Sequence, residues 1–238
     1  MDRYEDIKPY EFNMIKINTK KKYINASPIN IFNKNYFIAT QGPKDQTIND
    51  FWTMIEDYNC NVILMLCNVK ENGMEKCAKY WSNRYDKINF TIEIIEKKDN
   101  KKYTTREIKL TNKSTKNEKI VHQIQFQDWP DFGVPAISNG KIFEVFNEII
   151  RLTDKWKNNQ PIVIHCSAGV GRTGTFISMY CLAKEIRSQI EEGEKEIQFN
   201  IFNLVRKLKE MRLKLVQSPE QYILIYKFAS YLLLKENV

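Results

Sequence analysis

The sequence predicts an α/β (α+β) fold, and three stretches carry that prediction. Residues 161–164, Pro161-Ile162-Val163-Ile164, form a short apolar run rich in β-branched side chains, the pattern of a buried strand. Residues 175–189 follow with Phe176, Tyr180, Ala183 and Ile186 at helical spacing, and a turn with three glycines separates the two. Residues 62–66 are a second buried strand behind a helix at 49–57. Residues 89–97 and 102–110 alternate apolar and polar around a lysine-rich turn, which reads as a hairpin.

The remaining elements follow in order. Residues 35–40 read as a strand and Gln41-Gly42-Pro43 as a turn. Thr47-Ile48-Asn49-Asp50 has capping-box spacing ahead of Phe51, Met54, Ile55 and Tyr58, which starts the 49–57 helix. Residues 111–119 are a polar loop. Ile120, His122, Ile124 and Phe126 share one strand face, with His122 read as a hydrogen-bonded core histidine. An amphipathic helix spans 138–156 through Ile142, Phe143, Phe146, Ile149 and Ile150. Glu191-Glu192-Gly193 breaks the chain before a helix at 197–212. Ser218, with Pro219 at the first helical position and Gln221 three after the cap, starts a last helix to about residue 234.

Length and composition narrow the function classes. The chain has 238 residues, is 42% hydrophobic and shows no repeat or flexible linker, so one domain over 1–238 is expected. Its longest clean apolar run, 62–67, is too short to span a bilayer, and no charged-then-apolar leader opens it. Five cysteines without a C-x-x-C pair, and two histidines, argue against a zinc site and for reduced thiols in the cytoplasm. The net charge of +8 favours acidic partners. The lysines are scattered and not interleaved with aromatic residues, so nucleic acid is not the expected partner.

The chemistry concentrates in His165-Cys166-Ser167-Ala168-Gly169-Val170-Gly171-Arg172-Thr173-Gly174. Glycines at a strand-to-helix turn let successive N–H groups point inward and cradle an anion at a helix N-terminus. A cysteine in such an electropositive turn ionises readily and becomes a nucleophile. Arg172 supplies a rigid fork that matches two phosphate oxygens. Nucleophile, oxyanion cradle and guanidinium in one loop suit phosphoryl transfer from a monoester to sulfur.

The whole string resembles the phosphate-binding loop of the classical, cysteine-dependent protein tyrosine phosphatases. The resemblance implies a highly twisted mixed β-sheet flanked by helices on both faces, with this loop between a central strand and a helix. Other stretches resemble the same family in the same order. Asp2-Arg3-Tyr4-Glu5-Asp6 resembles its phosphotyrosine-recognition loop, which implies Tyr4 as a pocket wall and Asp6 as acceptor for substrate amides. Glu5 beside Asp6 puts two carboxylates where a peptide would lie, and should disfavour acidic residues flanking the phosphotyrosine. Glu71 falls where the family orients its arginine, and Lys76 where a lysine reaches toward the acid-bearing loop. Trp129-Pro130-Asp131-Phe132-Gly133 resembles the family's mobile acid loop, which implies Asp131 as general acid. Gln217 and Gln221 resemble the glutamine loop that places the hydrolytic water. Lys22, Ser82 and Phe132 depart from the family's usual Asp, Pro and His.

The resemblance therefore implies a phosphatase acting on phosphotyrosine-containing proteins without a metal or cofactor. Cys166 is the expected nucleophile, Arg172 and the N–H groups of residues 167–171 the phosphate cradle, and Thr173 the aid to thiolate departure. His165 is expected to orient the loop and favour the thiolate. Two rivals stay open: a phosphatase for phosphoserine/threonine or phosphoinositides, and a phosphotyrosine-binding module without turnover. Tyr4 favours phosphotyrosine; the joint presence of Cys166, Arg172 and Asp131 favours an enzyme. The chain could be complete in itself or the cytosolic catalytic domain of a larger protein, and oligomeric state is open.

Overall fold

Residues Val62–Met65 and Ile162–His165 are buried along their whole length because each pairs with a strand on both sides. The structure, a computed structural model, describes residues 1–17, 22–31, 34–82, 88–130, 133–137 and 140–236. The strands of its main sheet are β1 (Ala26–Ile31), β2 (Lys34–Thr40), β3 (Val62–Met65), β4 (Phe90–Asp99), β5 (Tyr103–Asn112), β6 (Glu118–Phe126) and β7 (Ile162–His165). Its helices are α1 (Ile48–Asp57), α2 (Lys141–Lys157), α3 (Gly171–Glu191), α4 (Ile201–Met211) and α5 (Pro219–Lys235).

The seven strands form one mixed sheet in the order β1-β2-β7-β3-β6-β5-β4. The four central strands run parallel, and antiparallel neighbours close both sides. This is the predicted twisted mixed sheet flanked by helices. Register matters for function: His165 lies level with Thr40 and with Met65, and Met65 lies level with Gln125. The parallel strands thus end together, and the loops that follow them open on the same edge. Ligands of parallel sheets bind at that carboxyl edge. Among the described residues no helix is long and apolar enough to cross a membrane.

Several boundaries differ from the sequence reading, each for a local reason. Helix α3 begins at Gly171 rather than 175, because packing overrides the poor helix propensity of Gly171 and Gly174. Helix α4 begins at Ile201 rather than 197, where the Asn200 side chain accepts the Asn203 N–H at 2.8 Å. Thr47 does not cap α1. Its hydroxyl accepts the Lys44 N–H at 3.0 Å, and Asp50 instead pairs with Lys22 at 2.8 Å.

Residues 26–31 form the edge strand β1, where Pro28 is tolerated. The polar loop is shorter than 111–119, since β5 runs on to Asn112 and β6 starts at Glu118. The apolar face read along β6 starts late: Ile120 is 38% exposed. His122 is not a core histidine but stacks on Trp156 with ring centroids 4.6 Å apart. Ser138, the expected start of the helix that becomes α2, lies outside the described residues. The start and end of α5 match the capping reading, with Ser218 and Gln221 bonded reciprocally.

Candidate active site

Cys166 stands directly after β7, and the loop from Ser167 to Val170 turns the chain into α3. The turn depends on Gly169. Its φ is +72°, and a Cβ there would lie 2.0 Å from the Thr40 carbonyl oxygen. With no Cβ, its N–H donates to Cys166 Sγ at 3.2 Å. The Thr173 hydroxyl, in the first turn of α3, donates to the same sulfur at 3.4 Å. The sulfur thus receives two hydrogen-bond donors beside the N-terminus of α3.

Arg172 follows on the same helical turn. Its two terminal nitrogens donate to the two Glu71 carboxylate oxygens at 2.7 Å each, and one donates to the Leu66 carbonyl at 3.1 Å. Both side chains of the pair are 7% exposed. Burial works against the Arg172 charge, but the bonds to Glu71 and the nearby Cys166 sulfur outweigh it and raise its pKa. Glu71 is held in turn by the Asn68 N–H at 2.9 Å. Bidentate pairing fixes the guanidinium plane as well as its position.

His165 is neutral, because burial pulls its pKa down to about 4. Its tautomer follows from its neighbours. The Cys166 carbonyl, 3.0 Å from Nδ1, can only accept, so Nδ1 carries the proton and donates to it. Nε2 of the neutral ring therefore accepts from the Tyr80 hydroxyl at 2.9 Å, and that hydroxyl accepts from Gln123 Nε2 at 2.7 Å. His165 acts on the loop by orientation and not by charge. Arg106 completes the line by donating to Gln123 Oε1 at 2.8 Å.

A cavity of about 750 Å³ opens over Cys166. Tyr4, Asp6, Lys76, Ser167, Ala168, Gly171, Arg172, Gln217 and Gln221 all line it. Ser167 donates to the Lys76 carbonyl at 3.0 Å, so the Tyr4 hydroxyl donates to Ser167 Oγ at 2.9 Å. Asp6 Oδ2 accepts from Lys214 Nζ at 2.7 Å. The Gln217 and Gln221 carboxamides stand over Gly171: a Cβ there would lie 3.1 Å from Gln217 Oε1 and 3.0 Å from Gln221 Nε2. Glu71, His165, Gly169, Val170 and Thr173 sit behind the wall. Asp131 and Phe132 lie outside the described residues. The residues beside them are anchored: Trp129 is buried against Phe126 and Phe146 and donates to the Gly133 carbonyl at 3.3 Å. Gly133 lines the cavity.

Two arginines were missed in the sequence reading. Arg3 clamps the Tyr4 segment, donating to the carbonyls of Gly42 at 3.0 Å and Pro43 at 2.8 Å. Arg212 is fully buried under the Cys166 loop and donates to the carbonyls of Gly169 at 2.9 Å and Ala168 at 3.3 Å. It also donates to Asn25 Oδ1 at 2.8 Å and Ser27 Oγ at 3.2 Å. Burial lowers its pKa to about 10, so it stays charged at neutral pH. A signal was present: Arg212 continues the buried stripe Ile201, Val205, Leu208 of α4, where a solvated arginine would not stand.

The family model described as Protein-tyrosine phosphatase matches residues 1–231. The chain is 36% identical over 232 residues to tyrosine-protein phosphatase non-receptor type 20 of Mus musculus, covering 94% of this chain and 52% of that protein. It is 35% identical over 236 residues to receptor-type tyrosine-protein phosphatase alpha of Homo sapiens, covering 95% and 28%. The chain thus spans about half the length of the first relative and about a quarter of the second. The solved structure of "PTPN18 in complex with HER2-pY1196 phosphor-peptides" is similar with a TM-score of 0.86 at 30% identity, covering 98% of this chain and 81% of that one. By sequence over nearly its whole length and by fold, the chain belongs to the protein-tyrosine phosphatase family.

Proposed function

We propose that this chain, as a single catalytic domain over 1–238, hydrolyses phosphotyrosine in proteins through a phosphocysteine. The observation that carries the reading is the Arg172 fork held by Glu71 beside a Cys166 sulfur that receives two hydrogen bonds. Cys166 Sγ attacks phosphorus in line, while Arg172 and the N–H groups of residues 167–171 hold the equatorial oxygens. Asp131, protonated, donates to the leaving tyrosine oxygen. The products of this step are the phenol and phosphocysteine. Gln217, with Gln221 beside it, then orients a water. Asp131 takes the water's proton, the oxygen attacks phosphorus, and the sulfur leaves with the Thr173 hydroxyl bonded to it. Inorganic phosphate departs and the thiolate is restored.

Phosphotyrosine is preferred over phosphoserine because Tyr4, fixed by its bond to Ser167, offers an aromatic wall at the cavity. The PTPN18 structure contains phosphopeptides, which supports the same class of ligand for this chain. Five cysteines without a disulfide support a cytoplasmic setting.

The test is hydrolysis of a phosphotyrosine peptide, with EDTA present, by the wild type, Cys166→Ser and Asp131→Ala. The wild type should turn over. Cys166→Ser should be inactive, and Asp131→Ala should lose about 100- to 10,000-fold in kcat. An inert wild type, or equal rates on phosphoserine and phosphotyrosine peptides, would overturn the reading.

A further inference from the structure

The stretch that delivers Gln217 to the cavity is strained. Lys214 and Val216 hold φ values of +62° and +59°, in the left-handed region. Val216 is β-branched, and that backbone is costly for it. A residue keeps such a conformation only where its surroundings hold it there. Val216 and Leu215 are both buried, and Leu215 lies against Gly174. Packing thus fixes the stretch up to the Val216 side chain.

The next unit, the peptide that joins Val216 to Gln217, is held by polar contacts on both sides. Its carbonyl oxygen accepts from Lys209 Nζ at 2.9 Å. Its N–H donates to Gln221 Oε1 at 2.9 Å. Lys209 belongs to the last turn of α4, and its own carbonyl accepts from the Tyr10 hydroxyl at 3.2 Å. The neighbouring charges of the helix, Arg206 and Glu210, pair with each other at 2.6 Å. The catalytic steps give Lys209 no part.

We infer that Lys209 is a positioning residue for hydrolysis of the phosphocysteine, acting through Gln217. This inference rests on the phosphocysteine reading. A peptide unit is planar, so holding its oxygen and its N–H together fixes the plane and the direction in which the Gln217 side chain leaves it. With the N–H held alone, the plane can swing about that bond and the strain at Val216 can relax. The Gln217 carboxamide would then move off its place over Gly171, where it orients the water. In the hydrolytic step the bond from water oxygen to phosphorus forms, the phosphorus–sulfur bond breaks and the water's proton goes to Asp131. Lys209 gives and takes no proton in it. Attack by Cys166 on the substrate does not use Gln217, so Lys209 acts on the second step and not on the first.

The test is a single-turnover quench series with a phosphotyrosine peptide carrying labelled phosphate, which reads formation and decay of labelled protein separately. Lys209→Met keeps the length of the side chain and removes its donors. It should slow decay by about 3- to 10-fold, the scale of one hydrogen bond, and leave formation unchanged. Lys209→Arg should restore decay, since a guanidinium can donate to the same carbonyl. In a Gln217→Ala background Lys209→Met should cause no further slowing, which a general disturbance of the loop would not reproduce. Equal decay in wild type and Lys209→Met would overturn the inference alone. So would equal slowing of formation and decay, or the same slowing with and without Gln217. Absence of labelled protein in wild type would overturn it together with the phosphocysteine reading.

Discussion

Arg172 and Arg212 are two buried guanidiniums on either side of one loop, and they are held in opposite ways. Arg172 is neutralised by a carboxylate, Glu71, in a bidentate pair. Arg212 donates to four neutral oxygens, two of them carbonyls of the Cys166 loop itself. The first arrangement aims a fork at the cavity; the second pins the loop from below. Replacing Glu71 by Gln leaves one acceptor where two oxygens now fix the fork, and removes the Glu71 charge from beside the buried guanidinium. We expect kcat/KM to fall about 100-fold, the scale of a misplaced catalytic group. The folded state should lose about 3 kcal/mol. Steady-state kinetics and urea unfolding check both. The Cys166 loop and Arg172 are legible in the sequence because they sit in one contiguous motif. Tyr80 and Gln123 do not show in the sequence, since the bonds that tie Tyr80 to His165 and Gln123 to Tyr80 span 85 and 43 residues, and Arg212 shows only as a charge on an apolar stripe.

At the scale of elements, the active edge is set by register. The parallel strands β2, β7, β3 and β6 stop level with one another, so four loops converge without any long excursion. Helix α3 then brings its first turn, with Gly171, Arg172 and Thr173, directly under that edge. Gly174 lets the Gln217 loop close against the helix: a Cβ there would lie 2.5 Å from the Val216 backbone nitrogen. Val216 holds a φ of +59°, an uncommon conformation for a β-branched residue, in the stretch that delivers Gln217. Apolar period was enough to place β3, β7, the hairpin of β4 and β5, and the capped start of α5. It missed the first turn of α3 because glycines carry no periodic signal. It missed the start of α4 because Ile197 and Phe199 extend the apolar pattern into the segment before the Asn200 cap. It misjudged β6 because that strand pairs on both sides along one end and is open at the other.

For the whole molecule, His165 links the site to global stability. An unfolded histidine takes up a proton below about pH 6.5. In the fold His165 does so only below about pH 4, because burial opposes its charge. Between those values the unfolded chain binds the extra proton, so stability is fully present above about pH 6.5 and declines as the pH falls. The loss approaches about 3 kcal/mol near pH 4. Asp6 and Asp99, whose carboxyls are lowered by Lys214 and by Lys97, act in the same direction, though both are exposed. Urea unfolding at pH 7 and pH 4.5 should show a larger drop for wild type than for His165→Gln, by about 2 kcal/mol. Equal drops would mean that His165 is not buried and neutral. On the proposed mechanism attack uses the Cys166 thiolate and departure a protonated Asp131, so turnover should show a bell-shaped pH dependence.

The covalent step is the point on which the chemical reading stands. It is reached most directly by mixing wild-type protein with a phosphotyrosine peptide carrying labelled phosphate and quenching within one turnover. Labelled protein, with the phosphate on Cys166 and absent from Cys166→Ser, is the expected result, and Gln217→Ala should increase it by slowing release. Hydrolysis of the peptide with no label on the protein, or with the label on another residue, would mean that Cys166 is not the nucleophile.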